Sequence, residues 1–201
     1  SNGLEARQLI NLPKKAFCHF EAIYFSDTGS LFEGKSLYEI RKRFGEELSK
    51  IEPLREIAIK NREDWIVVPV PETANAAAEG FSDSLGIPLR VLGLRKLDKK
   101  RGFINESLTR EHIMNRVYDI IKEVFFNKNV FLIEDSIVRD ETLKKTISVL
   151  KSASPKSIHV RVTEPKICNP CFYGIDMSTY GEFIANECSS SDIEKEIAKI
   201  I

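Results

Sequence analysis

The chain is poor in cysteine, has no long apolar run and carries no excess of either charge. Four cysteines in 201 residues are too sparse for a disulfide framework, so a reducing, cytoplasmic setting is the expectation. The longest undisturbed apolar runs are short ones such as Val130–Ile133. They fall far below the roughly 18 residues of a membrane span, and no membrane partner is expected. The 30 Lys and Arg residues equal the 30 Asp and Glu residues, which argues against nucleic acid held by bulk electrostatics. Ser1–Ile10 lacks both an initiator Met and a signal-peptide pattern, suggesting a processed chain or a fragment. What is present is a 42% hydrophobic fraction, too high for disorder and enough for one good core or two small ones.

The pattern along the chain alternates strand and helix signals. Phe17–Phe25 is aromatic and β-prone, and reads as a strand. Ser26–Lys35 reads as a loop. Ser36 is a candidate N-cap with Glu39 three residues on, and Leu37, Ile40, Phe44 and Leu48 follow at helical spacing. Trp65–Pro71 is an apolar run closed by prolines, the form of a buried parallel strand. An alanine-rich helix then runs from Thr73 to Leu85, with Gly86 as its stop. Pro88–Leu94 reads as a strand and Arg95–Arg101, with five basic residues in seven, as a mobile surface loop. Thr109–Phe126 reads as a helix, Asn129–Ile133 as a buried strand, Thr142–Ala153 as a helix, Ile158–Val162 as a strand, and Tyr180–Ile201 as a helical tail. This rhythm predicts an α/β fold with a mostly parallel central sheet and helices on both faces. Ligands in such sheets sit at the carboxyl ends of the strands.

The sharpest chemical signal lies there. Glu134 and Asp135 end an apolar strand, where two adjacent carboxylates repel each other unless a cation or a sugar hydroxyl uses them. The loop that follows enters a helix, whose N–H groups and dipole suit a phosphate. The residues alone read as a ribose-phosphate or metal-phosphate site, or else as a solvated strand end.

Glu134-Asp135-Ser136-Ile137-Val138-Arg139 resembles the phosphoribosyl-pyrophosphate (PRPP) loop of type I phosphoribosyltransferases, in the form used by the glutamine amidophosphoribosyltransferase family. Cys18–Ser26, Val68–Thr73, Arg101–Ile104 and Pro170–Met177 resemble further blocks of that family in the same order. The resemblance implies the type I phosphoribosyltransferase fold over 17–201. It also implies that residues 1–16 are the remnant of the end of a glutaminase domain and a linker.

The implied activity converts PRPP and ammonia, drawn from glutamine, into 5-phosphoribosylamine and pyrophosphate, the first step of purine synthesis. By the same resemblance Glu134 and Asp135 contact the ribose hydroxyls and a PRPP-bound magnesium. Ser136, Ile137, Val138, Arg139, Asp140, Glu141 and Thr142 cradle the 5′-phosphate. Glu72 and Thr73 lie by the pyrophosphate, and Lys96 and Arg101 close over it as catalytic residues. Glu72 and Thr73 also read as a simple helix cap, and the basic run as a solvated face. The partners implied are PRPP or a purine nucleotide, a glutaminase domain or a true family enzyme, and a second copy of the chain in a homo-oligomer.

Three segments depart from the family pattern. Asp140-Glu141 stands where the family has Gly-Thr, Asn105–Thr109 replaces the usual catalytic-loop continuation, and Ala74-Asn75 replaces a glycine. A carboxylate about 4 Å from a phosphate at an effective dielectric near 20 costs up to about 4 kcal/mol. The alternative expectation is therefore an inactive or weakly binding paralogue that acts as a regulatory or partner-binding module. Cys18 and Cys171 match two of four ligands of an iron–sulfur cluster in one branch of the family, and Cys168 completes a Cys-x-x-Cys with Cys171. With Cys188 or His19 as a fourth ligand they could hold iron–sulfur or zinc, but reduced thiols are the stronger expectation.

Overall fold

Two apolar runs, Trp65–Pro69 and Asn129–Glu134, form the middle of the molecule because each is buried on both faces of one sheet. The computed structural model describes residues 16–96, 118–139, 141–173, 175, 177 and 179–187, together with Arg7 and Lys195.

From the N-terminus the chain makes a π-helical turn at Glu21–Phe25 and a small antiparallel hairpin of β1 (Leu31–Phe32) and β2 (Lys35–Ser36). Then come α1 (Leu37–Lys50), α2 (Arg55–Lys60), β3 (Trp65–Pro69) and α3 (Asn75–Leu85). An antiparallel ribbon of β4 (Leu94–Lys96) and β5 (Tyr118–Ile120) precedes α4 (Lys122–Phe125). β6 (Asn129–Glu134), α5 (Glu141–Lys151), β7 (Ser157–Val162) and α6 (Ile184–Glu187) complete the described elements.

The central sheet is parallel, in the order β3–β6–β7, with Trp65 opposite Asn129 and Asn129 opposite Ser157. Alternate residues of the strands feed two cores. Trp65, Val67, Phe131 and Ile133 pack against Ala77, Ala78, Phe81 and Leu85 of α3. Ile66, Val68, Val130 and Leu132 pack against Leu143, Ile147 and Leu150 of α5 and against Leu94, Tyr118 and Phe125. Helices therefore cover both faces, as the sequence pattern requires. Burying a side chain such as Phe81 or Phe131 contributes roughly 2–3 kcal/mol.

Several local readings hold. Ser36 caps α1, its Oγ accepting the Glu39 N–H at 3.5 Å. Gly86 ends α3 at φ +63°, its N–H donating to the Ser82 carbonyl at 2.8 Å. β3, β6, α5 and β7 fall within one or two residues of expectation.

Others are corrected. Phe17–Phe25 is not a strand: from His19 the chain is helical and closes as a π-turn, the Ser26 N–H donating to the Glu21 carbonyl at 3.0 Å. Tertiary contacts override its β propensity. Phe20 stacks on Tyr24 with ring centroids 5.2 Å apart, and the buried Arg41 donates to the Ala22 and Ser26 carbonyls at 2.9 and 2.6 Å. Of the helix expected over Thr109–Phe126, residues 109–117 lie outside the described residues. Tyr118–Ile120 is instead a strand, paired with β4 through Arg95–Asp119 at 2.7 Å, and only Lys122–Phe125 is helical.

Pro88–Leu94 makes a single parallel bridge, Leu89 to Val67, before a 3₁₀ turn at Val91–Gly93. In the basic stretch Arg95 and Lys96 belong to β4, and 97–101 lie outside the described residues. Of the helical tail expected over Tyr180–Ile201, the described part is a 3₁₀ turn, Tyr180–Glu182, then α6 and a helical Lys195, so the helix does not start at Tyr180; 188–194 and 196–201 lie outside the described residues. The domain boundary expected at residue 16 falls where, of 1–16, only Arg7 and residue 16 are described. No helix among the described residues is long and apolar enough to cross a membrane.

Candidate functional site

Parallel strands bring their carboxyl ends to one edge of the sheet, and a cavity of about 650 Å³ opens there. It is lined by Glu134, Asp135, Ser136, Ile137, Val138, Arg139 and Thr142, by Glu72 and Thr73, and by Lys96. Three separate sequence segments thus meet in one place. Of the remaining predicted site residues, Arg101 and Asp140 lie outside the described residues. Glu141 is the first residue of α5, its side chain undescribed.

The floor is made where β6 ends. Glu134 and Asp135 are buried, 8% and 4% exposed. The Asp135 N–H donates to Glu134 Oε1 at 3.2 Å, and the Ser136 hydroxyl donates to Asp135 Oδ1 at 2.9 Å. The segment after β7 holds this corner from behind: the Thr163 N–H donates to the Glu134 carbonyl at 3.2 Å and the Glu164 N–H to the Asp135 carbonyl at 2.8 Å. Asp135 Oδ2 is buried with no hydrogen-bond partner among the described residues. Asp135 lines the cavity, and a buried carboxylate short of donors favours a ligand hydroxyl or a cation beside it.

The electrostatics follow from burial. Loss of water, reinforced by the charge of Asp135, pushes the Glu134 carboxyl well above its ordinary value. Tyr118 is pushed up to about 12 by burial and then by Glu134 and Asp135, so its hydroxyl keeps its proton. Burial lowers the pKa of Arg41, against the opposing pull of Asp135 and Asp27.

The walls come from different elements. The Val70 N–H donates to the Ile133 carbonyl at 2.8 Å, which extends the β3–β6 pairing and delivers Glu72 and Thr73 to the rim; the Pro71–Glu72 peptide is cis. The N-terminal turn of α5 contributes Thr142 and Leu143, and a helix N-terminus offers N–H groups and a positive dipole end to an anion. The lining is completed by an aromatic and apolar wall of Phe20, Tyr24 and Phe25, with Tyr118, Ile175 and Met177. Sequence reasoning missed this wall. The i, i+4 spacing of Phe20 and Tyr24 was the signal that could have shown it.

Asp135 and Glu134 supply hard oxygen donors, one of them unserved, next to space for a phosphate ester. That set suits magnesium, which takes one or two carboxylates and completes its shell with water and substrate phosphates. The thiols are arranged differently. Cys18 is exposed, Cys168 and Cys171 are half-buried, and all three are free. Among the described residues no group of three His, Cys, Asp or Glu side chains is placed to hold a metal; Cys188, the other fourth ligand expected beside His19, lies outside the described residues.

No family model matches the chain. An amidophosphoribosyltransferase from Synechococcus elongatus is 36% identical over 196 residues, covering 97% of this chain and 38% of that protein. One from Methanocaldococcus jannaschii is 36% identical over 187 residues, covering 92% of this chain and 37% of its own length. Among solved structures, the glutamine PRPP amidotransferase from B. subtilis complexed with ADP and GMP has a TM-score of 0.73 at 33% identity. The match covers 90% of this chain and 38% of that one. The chain thus spans well under half the length of the curated relatives it matches.

Proposed function

The chain belongs to the amidophosphoribosyltransferase family and has the type I phosphoribosyltransferase fold, and from this we propose that its cavity binds PRPP with magnesium and transfers the phosphoribosyl group to ammonia. The observation that carries the reading is the buried pair Glu134 and Asp135, with Asp135 Oδ2 unserved, facing a cavity that also holds the N-terminal turn of α5.

In this reading Glu134 and Asp135 hold the ribose 2- and 3-hydroxyls and magnesium. The metal, when bound, neutralises charge on the leaving pyrophosphate. The turn from Ser136 to Thr142 receives the 5′-phosphate through backbone N–H groups. Glu72, Thr73 and Lys96 lie at the pyrophosphate end, with Arg101 joining Lys96 over it. Ammonia attacks the anomeric carbon as the bond to pyrophosphate breaks, giving 5-phosphoribosylamine after loss of a proton. The side chains serve by positioning and by stabilising developing charge. A glutaminase domain or a complete family enzyme supplies the ammonia, in a cytoplasmic homo-oligomer.

Calorimetric titration with PRPP, with and without magnesium, tests the binding step, and ammonia-dependent release of pyrophosphate tests the transfer. Magnesium-dependent micromolar binding is expected. No binding at millimolar PRPP overturns the reading.

A second reading is favoured by one observation. The acidic pair Asp140-Glu141 replaces the family's Gly-Thr where α5 begins, and α5 is the helix whose first turn lines the cavity. There the chain is a paralogue that keeps the fold, binds PRPP or a purine nucleotide weakly, and works by pairing with an active enzyme. Binding without turnover, or no turnover with co-purification of such an enzyme, selects it.

A further inference from the structure

Glu164 is a buried carboxylate that the chemistry proposed for the cavity does not use. It follows β7, its residue is 7% exposed and its side chain 1% exposed. Its backbone N–H holds the carbonyl of Asp135 at 2.8 Å, so it stands against the corner where the paired carboxylates sit. Neither of its carboxylate oxygens meets a hydrogen-bond donor in ordinary geometry among the described residues. Its counter-group is the imidazole of His19, in ion-pair contact through Nδ1 with Oε1.

His19 directly precedes Phe20 and begins the helical segment that carries Phe20, Tyr24 and Phe25 into the cavity wall. The other end of that segment is held by Arg41, which donates to the Ala22 and Ser26 carbonyls and to Thr28 Oγ1 at 2.9, 2.6 and 2.8 Å. Arg41 also feels the charge of Asp135. The aromatic wall is therefore held at both ends by basic side chains, His19 and Arg41, close to the carboxylates that gather at the ends of β6 and β7.

We propose that His19 and Glu164 form a latch that positions the aromatic wall: Glu164 is joined by its backbone to the Asp135 corner and by its side chain to the wall. A buried carboxyl group served by one side-chain partner loses more when that partner is removed than an exposed pair does. The Glu164 carboxylate would then draw in water or turn away, and Phe20 and Tyr24 would lose their fixed distance from the floor. Glu164 and His19 are positioning residues, since they act through the wall. The consequence for ligand affinity rests on the PRPP reading of the cavity; the consequence for the wall does not.

His19 is the residue to change, because its side chain is 63% exposed and its removal leaves the cores intact. His19→Ala deletes the contact, whereas His19→Asn keeps an N–H donor close to the place of Nδ1. Hydrogen exchange on the ligand-free full chain should show the amides of 21–26 exchanging about fivefold or more faster in His19→Ala, with 130–134 unchanged and His19→Asn near wild type. PRPP with magnesium should bind about three- to tenfold more weakly to His19→Ala, and His19→Asn should restore it. Unchanged exchange at 21–26 overturns the latch, as does failure of His19→Asn to restore it. A loosened wall with unaltered PRPP affinity overturns the positioning role. If the wild-type chain itself binds no PRPP, the functional reading fails, and the exchange comparison still decides the latch.

Discussion

Gly45 of α1 and Gly80 of α3 are the points at which the two helices meet backbone to backbone. A Cβ on Gly45 would lie 1.8 Å from the Ala77 carbonyl oxygen, and one on Gly80 would lie 2.0 Å from that of Lys42. No side-chain adjustment relieves a clash with a carbonyl, so Gly45→Ala must push α1 off α3. Helix propensity favours alanine by about 1 kcal/mol, while overpacking of this kind costs typically 1–3 kcal/mol or more. We expect a net loss near 2 kcal/mol, read as a fall of roughly 5 °C in the melting temperature. An unchanged or raised melting temperature would show that the helices separate freely.

Glu134 carries a pH signature. Its folded-state pKa lies above the 4.5 of the free side chain, so the native state retains a proton that the unfolded chain has released. Stability contributed by this group is therefore full at acid pH and falls as pH rises from about 4.5 through the folded-state value. Glu134→Gln removes that dependence. Urea denaturation across the range should show the variant gaining on wild type as pH increases, while its binding of PRPP and magnesium falls at least about tenfold. Parallel pH profiles for the two proteins would contradict the burial argument.

Lys96 separates the two ends of the ligand. It sits on β4 at the cavity rim, and in the proposed pose it faces pyrophosphate. Lys96→Ala should weaken PRPP binding by about tenfold or more, with a reduced salt dependence, and leave ribose 5-phosphate binding within about twofold. Equal losses for both ligands would place the lysine elsewhere.

The acidic loop gives a gain-of-function test. Asp140→Gly with Glu141→Thr removes two negative charges from the expected phosphate turn. If each carboxylate exerts even a quarter of the close-range repulsion, about 1 kcal/mol, the double variant should bind PRPP roughly tenfold or more tightly. Calorimetry on the paired proteins decides it. No gain would mean that both side chains face water at the helix start, where acidic residues suit the dipole.

Much of the frame was legible locally. Trp65–Pro69 and Asn129–Glu134 were visible as strands because burial on both faces leaves an unbroken apolar run. The Ser36 cap and the Gly86 stop were visible because each acts on backbone groups within a few residues of itself. The paired carboxylates stood out because their placement at an apolar strand end has a cost that calls for a ligand. Phe17–Phe25 misled, since aromatic residues favour strands only where a sheet edge is present to pair with. Here Arg41 and the Phe20–Tyr24 stack offered a helical turn instead.

The sequence by itself determined the alternation of strands and helices, the parallel sheet and the chemistry of the floor, since these rest on periodicity and on residue type. Only the tertiary structure decided what surrounds that floor. It joined Glu72, Lys96 and Thr142 in one cavity, raised an aromatic wall from a segment that reads as a strand, and set His19 against Glu164. Such contacts depend on where the chain returns in space. The free energy that selects them comes from burial and charge shared between distant segments, which leaves no mark on any local pattern.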